Sequence, residues 1–284
     1  MGWLSKWRRQ PGAAPPEHSN SLIKPSAWLQ SDVGCVRPGN EDAGKIVFTD
    51  DGNRGLLVVL ADGMGGHEAG EVASQTAVET IAKVYPQAKG TPGEALEYAF
   101  RQANETIWTL AAKNPAMTGM GTTCTALALL GKKAWAAHVG DSRLYLVRGG
   151  DIHQLSEDHT MVMELVRQGL LSVEEARHHE NRNVLLRAMG TEAELQLMRW
   201  PEPMNVRQGD VFVLCSDGLH DLVKDEEMKA VAYGAPPKVA CRKLVRMARE
   251  RGGNDNITVA VVLAGAVDSP PPAVNLMAQP DGPP

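Results

Sequence analysis

Six short segments, 56–61, 122–130, 134–139, 144–148, 211–215 and 257–263, are apolar at nearly every position and are bounded by Gly, Asp or Asn. A strand with no polar face must be covered on both sides, so such segments predict sheets buried between other layers. The connections Gly131-Lys132-Lys133 and Gly149-Gly150 are too short for a helical crossover and predict antiparallel hairpins. Candidate covering layers are also present. Residues 69–84 place Val72, Ala73, Thr76, Ala77, Thr80 and Ile81 at helical spacing. A second helix opens with Thr91 and Glu94 as a capping box and carries Leu96, Ala99, Phe100, Ala103, Ile107 and Leu110 on one face. The expected class is α+β, a two-sheet antiparallel sandwich with helices layered around it.

With 284 residues, 43% of them hydrophobic, the chain can bury one substantial core. One domain is expected over 28–266, between a flexible N-terminal arm (1–27) bearing Trp3, Trp7, Lys6, Arg8 and Arg9 and a disordered, Pro-rich tail (267–284). A net charge of −5 argues against general nucleic-acid binding, which needs a concentrated basic surface. Cys35, Cys124, Cys215 and Cys241 show no CxxC spacing, so neither a zinc site nor a disulfide framework is suggested. No apolar run approaches the roughly 20 residues of a membrane span, and the N-terminus lacks a secretory apolar core. A cytoplasmic monomer is the expectation.

Two of the buried strands end alike. Segment 56–61 runs into Asp62-Gly63 and segment 211–215 into Ser216-Asp217-Gly218, while Asp255 directly precedes the strand starting at Ile257. Asp-Gly alone is ordinary turn composition. Three aspartates gathered at strand ends would repel one another, however, and a divalent cation is the usual way to stabilise such a group. Oxygen donors favour Mg2+ or Mn2+ over zinc. The stretch 32–42 adds Glu41 and Asp42, with Arg37 five residues before Asp42. A guanidinium matches a phosphate dianion in charge and bidentate geometry, so the combination suggests phosphoester hydrolysis.

Over about 31–264 the chain resembles the metal-dependent serine/threonine phosphatases called protein phosphatase type 2C, in their compact bacterial form. The resemblance rests on six ordered motifs: the 32–42 stretch, Ala61-Asp62-Gly63-Met64-Gly65-Gly66-His67, Gly119-Met120-Gly121-Thr122-Thr123, Val139-Gly140-Asp141-Ser142-Arg143, Ser216-Asp217-Gly218 and Asn254-Asp255-Asn256-Ile257-Thr258. It implies an antiparallel β-sandwich flanked by helix pairs, with a binuclear centre of Mn2+ or Mg2+ at one end. Position by position, Asp62 would bridge two tightly bound metals, the Gly63 carbonyl would bind one, and Asp217 and Asp255 the other. Glu41 and Asp42 would act through water, Arg37 would grip the phosphate, and Asp141 would join Asp217 at a third metal. The implied catalytic set is Arg37, Glu41, Asp42 and Asp62, with metal-activated water as nucleophile and no covalent phosphoenzyme. Phosphorylated proteins would be the substrates, and a bacterial serine/threonine kinase pathway the opposing activity.

The chain departs from animal members at Met64, where they carry a histidine that protonates the leaving alcohol; methionine cannot do so. Metal-bound water is the expected donor, with His67 a weaker candidate. Residues 156–190 correspond to the family's variable flap, and its His159, His178, His179, Arg182 and Arg187 are expected to be solvated rather than catalytic. Two rival functions remain: a non-catalytic phosphoprotein-binding regulator, and a hydrolase of small phosphate esters on the same scaffold.

Overall fold

The computed structural model describes residues 23–49 and 54–265. In chain order they form β1 (Pro25–Asp32), β2 (Asp42–Phe48), β3 (Leu56–Met64), α1 (His67–Val84), α2 (Pro92–Lys113), β4 (Gly121–Thr122), β5 (Cys124–Leu130) and β6 (Lys133–Val139). Then come β7 (Arg143–Arg148), β8 (Asp151–Gln154), α3 (Met161–Arg167), α4 (Val173–Arg177), β9 (Met198–Arg199) and β10 (Met204–Asn205). The last elements are β11 (Val211–Cys215), α5 (Asp217–His220), α6 (Asp225–Ala232), α7 (Pro237–Glu250) and β12 (Ile257–Ala264). One sheet has the order β1-β12-β11-β7-β8 and the other β10-β6-β5-β3-β2, with β4 and β9 pairing onto β3 and β6. Every pairing is antiparallel.

β3 shows why the strands lack a polar face. Leu57, Val59 and Ala61 enter a core shared with α1 and α2, while Leu56, Val58 and Leu60 point the other way into the core between the sheets. The two-residue period of a strand thus serves two apolar layers. β11 repeats the division: Val213 and Cys215 meet α6 and α7, and Phe212 and Leu214 face the opposite sheet. The result is a four-layer helix–sheet–sheet–helix sandwich, the architecture expected from sequence. Among the described residues no helix is long and apolar enough to cross a membrane, and all four cysteines are free.

At the start of α2, Thr91 Oγ1 accepts the Glu94 N–H at 3.3 Å and the Glu94 carboxylate accepts the Thr91 N–H at 2.7 Å. Leu110, expected on the buried face, is 40% exposed and lies in the last turn of α2, beyond its last buried residue Ile107. The predicted strand 122–130 is divided at Thr123, whose N–H leaves the ladder for the Asp62 carbonyl. β1 begins at Pro25, so the sheet takes in Pro25 to Ala27 of the stretch read as an arm; residues 1–22 and 266–284 lie outside the described set. β1, β2, α6 and α7 were absent from the sequence expectations. For α7 the signal existed, since its buried residues Ala240, Cys241, Leu244, Val245 and Ala248 recur at helical spacing.

Phe100 is fully buried between α2 and its sheet. Phe100→Ala should lower stability by about 3 to 5 kcal/mol and Thr91→Ala by about 1 kcal/mol in urea denaturation. Tyr98→Ala, on the exposed side of the same helix, should change it by about 0.5 kcal/mol or less.

Candidate active site

The acidic residues of the sequence motifs collect at one end of the sandwich, contributed by both sheets. Asp42 and Asp62 are register partners where β2 opens and β3 closes. Asp217 follows β11 through Ser216, and Asp255 lies just ahead of β12. Ser216 joins the two sheets: its Oγ donates to Asp42 Oδ2 at 2.8 Å and accepts the Thr258 N–H at 3.0 Å. The backbone at Asp62 is held from both sides, its N–H donating to Thr123 Oγ1 at 3.0 Å and its carbonyl accepting from Thr123 N–H and Thr122 Oγ1, each at 2.8 Å.

The glycine after each aspartate has a packing reason rather than a turn reason. Neither Gly63 nor Gly218 has positive φ. A Cβ on Gly63 would lie 2.0 Å from the Gly70 carbonyl oxygen, and one on Gly218 2.0 Å from that of Asn256. Only glycine lets α1 and the 255–256 turn come this close to the strand ends.

Burial, followed by mutual repulsion, dominates the electrostatics. Burial raises the Asp62 carboxyl well above the usual carboxylate range, and the charges of Asp42, Asp217, Asp141 and Asp255 raise it further. Burial also pushes Asp42 up to about 6, despite hydrogen bonds from Thr258 and Ser216 that favour its charged form. Asp141 and Asp217 rise to about 7, again by burial first and then by neighbouring carboxylates. Among the described residues, Asp42 Oδ1 and Asp217 Oδ1 are buried without a hydrogen-bond partner. No three His, Cys, Asp or Glu side chains among those residues form a ready coordination shell. The donor chemistry nevertheless fits a hard cation, because orphaned carboxylate oxygens that repel one another are the groups such an ion neutralises.

The 33–41 loop supplies the remaining sequence candidates, and Asn256 fastens it. Asn256 Nδ2 donates to the carbonyls of Val33 and Gly39, each at 2.9 Å, while its Oδ1 accepts the Glu41 N–H at 2.8 Å. Sequence reasoning gave Asn256 no role; its position after Asp255 was the only hint. The Glu41 carboxylate packs against the start of α1, where a Cβ on Gly70 would fall 2.1 Å from Glu41 Oε2. Arg37 lies on Asp255, Nη2 to Oδ2 at 2.7 Å, with 47% of its side chain exposed.

Asp141 occupies the turn between β6 and β7 and is buried. Thr123 Oγ1 and Ser142 Oγ share a 2.7 Å hydrogen bond, which ties this turn to Asp62. His220 Nε2 donates to the Asp141 carbonyl at 3.1 Å. His159, expected to be solvated, is instead buried: its Nδ1 accepts the Gly140 N–H at 3.1 Å and its ring lies 5.0 Å from that of His138. The first residues of the flap therefore form part of the support beneath Asp141. His178 and Arg182 are exposed as expected. Met64 is half-buried, and the His67 side chain falls outside the described residues.

The sequence pattern of the Protein phosphatase 2C family matches residues 38–257. The serine/threonine protein phosphatase PstP of Mycobacterium tuberculosis is 40% identical over 84% of this chain, which spans only 44% of that relative's length. The serine/threonine phosphatase stp of Listeria welshimeri is 36% identical, covering 83% of this chain and 94% of its own. A crystal structure of the PstP catalytic domain in complex with two manganese ions superposes with a TM-score of 0.74 at 35% identity, covering 87% of this chain and all of that one. Sequence motifs, sandwich topology and these similarities lead to one placement: the chain belongs to the Protein phosphatase 2C family.

Proposed function

We propose that this chain hydrolyses phosphoserine and phosphothreonine on proteins, opposing a serine/threonine kinase, with divalent cations held by its aspartates. The observation that carries this reading is the gathering of Asp42, Asp62, Asp141, Asp217 and Asp255 at one sandwich end, with Arg37 at its rim. Asp62, the Gly63 carbonyl, Asp217 and Asp255 would hold two Mn2+ or Mg2+ ions, and Asp141 with Asp217 would hold a third. Bound there, the cations would supply Lewis-acid charge and make water a nucleophile near neutral pH. Two relatives named serine/threonine phosphatases and the manganese complex of PstP support the assignment.

The chain's own groups then have distinct tasks. Arg37 trades its contact with Asp255 for two oxygens of the phosphate, a bidentate geometry that orients the phosphorus. Glu41 and Asp42 accept hydrogen bonds from water and aim it along the line of attack. A bond forms from the water oxygen to phosphorus, the bond from phosphorus to the serine or threonine oxygen breaks, and a proton passes to the departing alcohol. Met64 cannot supply that proton, so it comes through water.

Phosphothreonine and phosphoserine peptides should be hydrolysed with Mn2+ or Mg2+ and left intact in excess EDTA. Turnover undiminished by chelation would overturn the metal assignment. Asp62→Ala and Asp217→Ala should each lower kcat by several orders of magnitude, whereas Arg37→Ala should act mainly on KM. Asp141→Ala should fold and bind two ions yet lose much of its turnover; full activity with unchanged Mn2+ dependence would make Asp141 a turn residue only.

Proton and cation should compete for the same carboxylates. Because Asp42, Asp141 and Asp217 have folded pKa values of about 6 to 7, raised above the unfolded value of 3.8, the metal-free native state holds extra protons. Its stability should then fall as pH rises through that range. His138 and His159, lowered by burial to about 4 and about 3, act in the opposite sense only as pH drops below their unfolded value of 6.5. Added Mn2+ should therefore raise Tm more at about pH 8 than at about pH 6. Equal shifts at both would count against cation binding at this cluster.

A further inference from the structure

Beside the 33–41 loop, a surface cavity of about 450 Å3 is lined by residues of β1 and α7. Arg242, Val245, Arg246, Arg249 and Glu250 line its helical side, and Gln30, Asp32 and Cys35 its other side. Asp32 pairs with Arg249 at 2.8 Å and also accepts the Gly34 N–H at 2.9 Å. Arg246 has a loose contact of 3.7 Å with Glu250, both side chains 67% exposed, and Arg242 has no ion-pair partner among the described residues. Outside the cavity, on the same two elements, Lys238 of α7 lies 4.4 Å from the centroid of the Trp28 ring of β1. Three arginines against the two carboxylates of Asp32 and Glu250 leave the lining net positive on a chain of net charge −5.

The cavity also has a defined relation to the site. The Cys35 N–H donates to the Gly253 carbonyl at 2.7 Å, which fixes that wall next to the turn carrying Asp255. Cys35 is two residues from Arg37, a separation of at most about 7 Å along the chain. A peptide whose phosphate reaches Arg37 would carry side chains three or four residues away over Arg242 and Arg246. We infer that this groove is a docking site for acidic residues flanking the phosphorylated residue of a protein substrate. The inference rests on the phosphatase reading and adds a substrate class, phosphoproteins with nearby Asp or Glu. Carboxylates paired with Arg242 and Arg246 would discriminate substrates without touching the reacting phosphate.

The test uses the full chain, wild type and Arg242→Glu/Arg246→Glu, with Lys243→Glu as a control on an exposed part of α7 that does not line the cavity. The phosphothreonine peptides have Glu, or Gln, at the third and fourth positions on both sides. Wild type should favour the Glu peptide by about fivefold in kcat/KM, the preference weakening with added salt. The double variant should lose it, Lys243→Glu should keep it, and p-nitrophenyl phosphate turnover should be the same in all three. Fluorescence polarisation with the unphosphorylated Glu and Gln peptides should give the same order without any need for catalysis. No Glu preference in wild type, or one that survives the double substitution, overturns the docking site and leaves the phosphatase reading standing. If no substrate is hydrolysed by the metal-loaded protein, that reading fails, and the polarisation measurement still decides the groove.

Discussion

Asp42, Asp62, Asp141 and Asp217 are carboxylates taken out of water at one end of the sandwich, where burial and mutual repulsion both oppose their ionisation. A folded chain keeps such an arrangement only if the surrounding backbone leaves the side chains no easy retreat. That backbone is rigid here because Asp62 and Asp217 stand at the ends of β3 and β11, strands whose apolar residues are locked into two cores each. Repulsion that would melt a loop is thereby borne by the whole sandwich.

The two sheets have to agree at this end, since neither holds the complete set of acids. Ser216 reaches from the β11 end to Asp42 on the opposite sheet, and Asn256 ties the β12 turn to the loop leading into β2. Gly63 and Gly218 permit backbone approaches that any side chain would block, and Gly70 leaves room for the Glu41 carboxylate. Small residues and short hydrogen bonds thus set the spacing of the charges. On the far side of Asp62 the Thr123–Ser142 bond and the buried His138–His159 pair extend the same support to Asp141.

Charge is divided in space as well. Asp42, Asp62, Asp141 and Asp217 lie inside, whereas Arg37, Arg246 and Arg249 have about half or more of each side chain exposed. Arg37 pairs with Asp255 at the boundary between the two zones, so the residue proposed to receive phosphate is the one that also screens the outermost acid.

The sequence by itself determined the class of fold and the identity of the acids. Strands apolar on both faces require covering layers, and short Gly-rich connections require antiparallel neighbours; both are local properties of composition and length. Asp62, Asp217 and Asp255 were legible because each adjoins such a strand. β1 and β2 were not, because their half-buried residues mix polar and apolar types without a clear alternation. Tertiary structure alone decided what depends on distant segments coming together. Asn256 became a staple only when the 33–41 loop was laid against it, His159 became buried only when it met His138, and Arg242 and Arg246 became a groove wall only when α7 packed on β1. In each case the partner is far away in sequence, and spacing along a chain carries no information about which surfaces long-range packing will bring into contact.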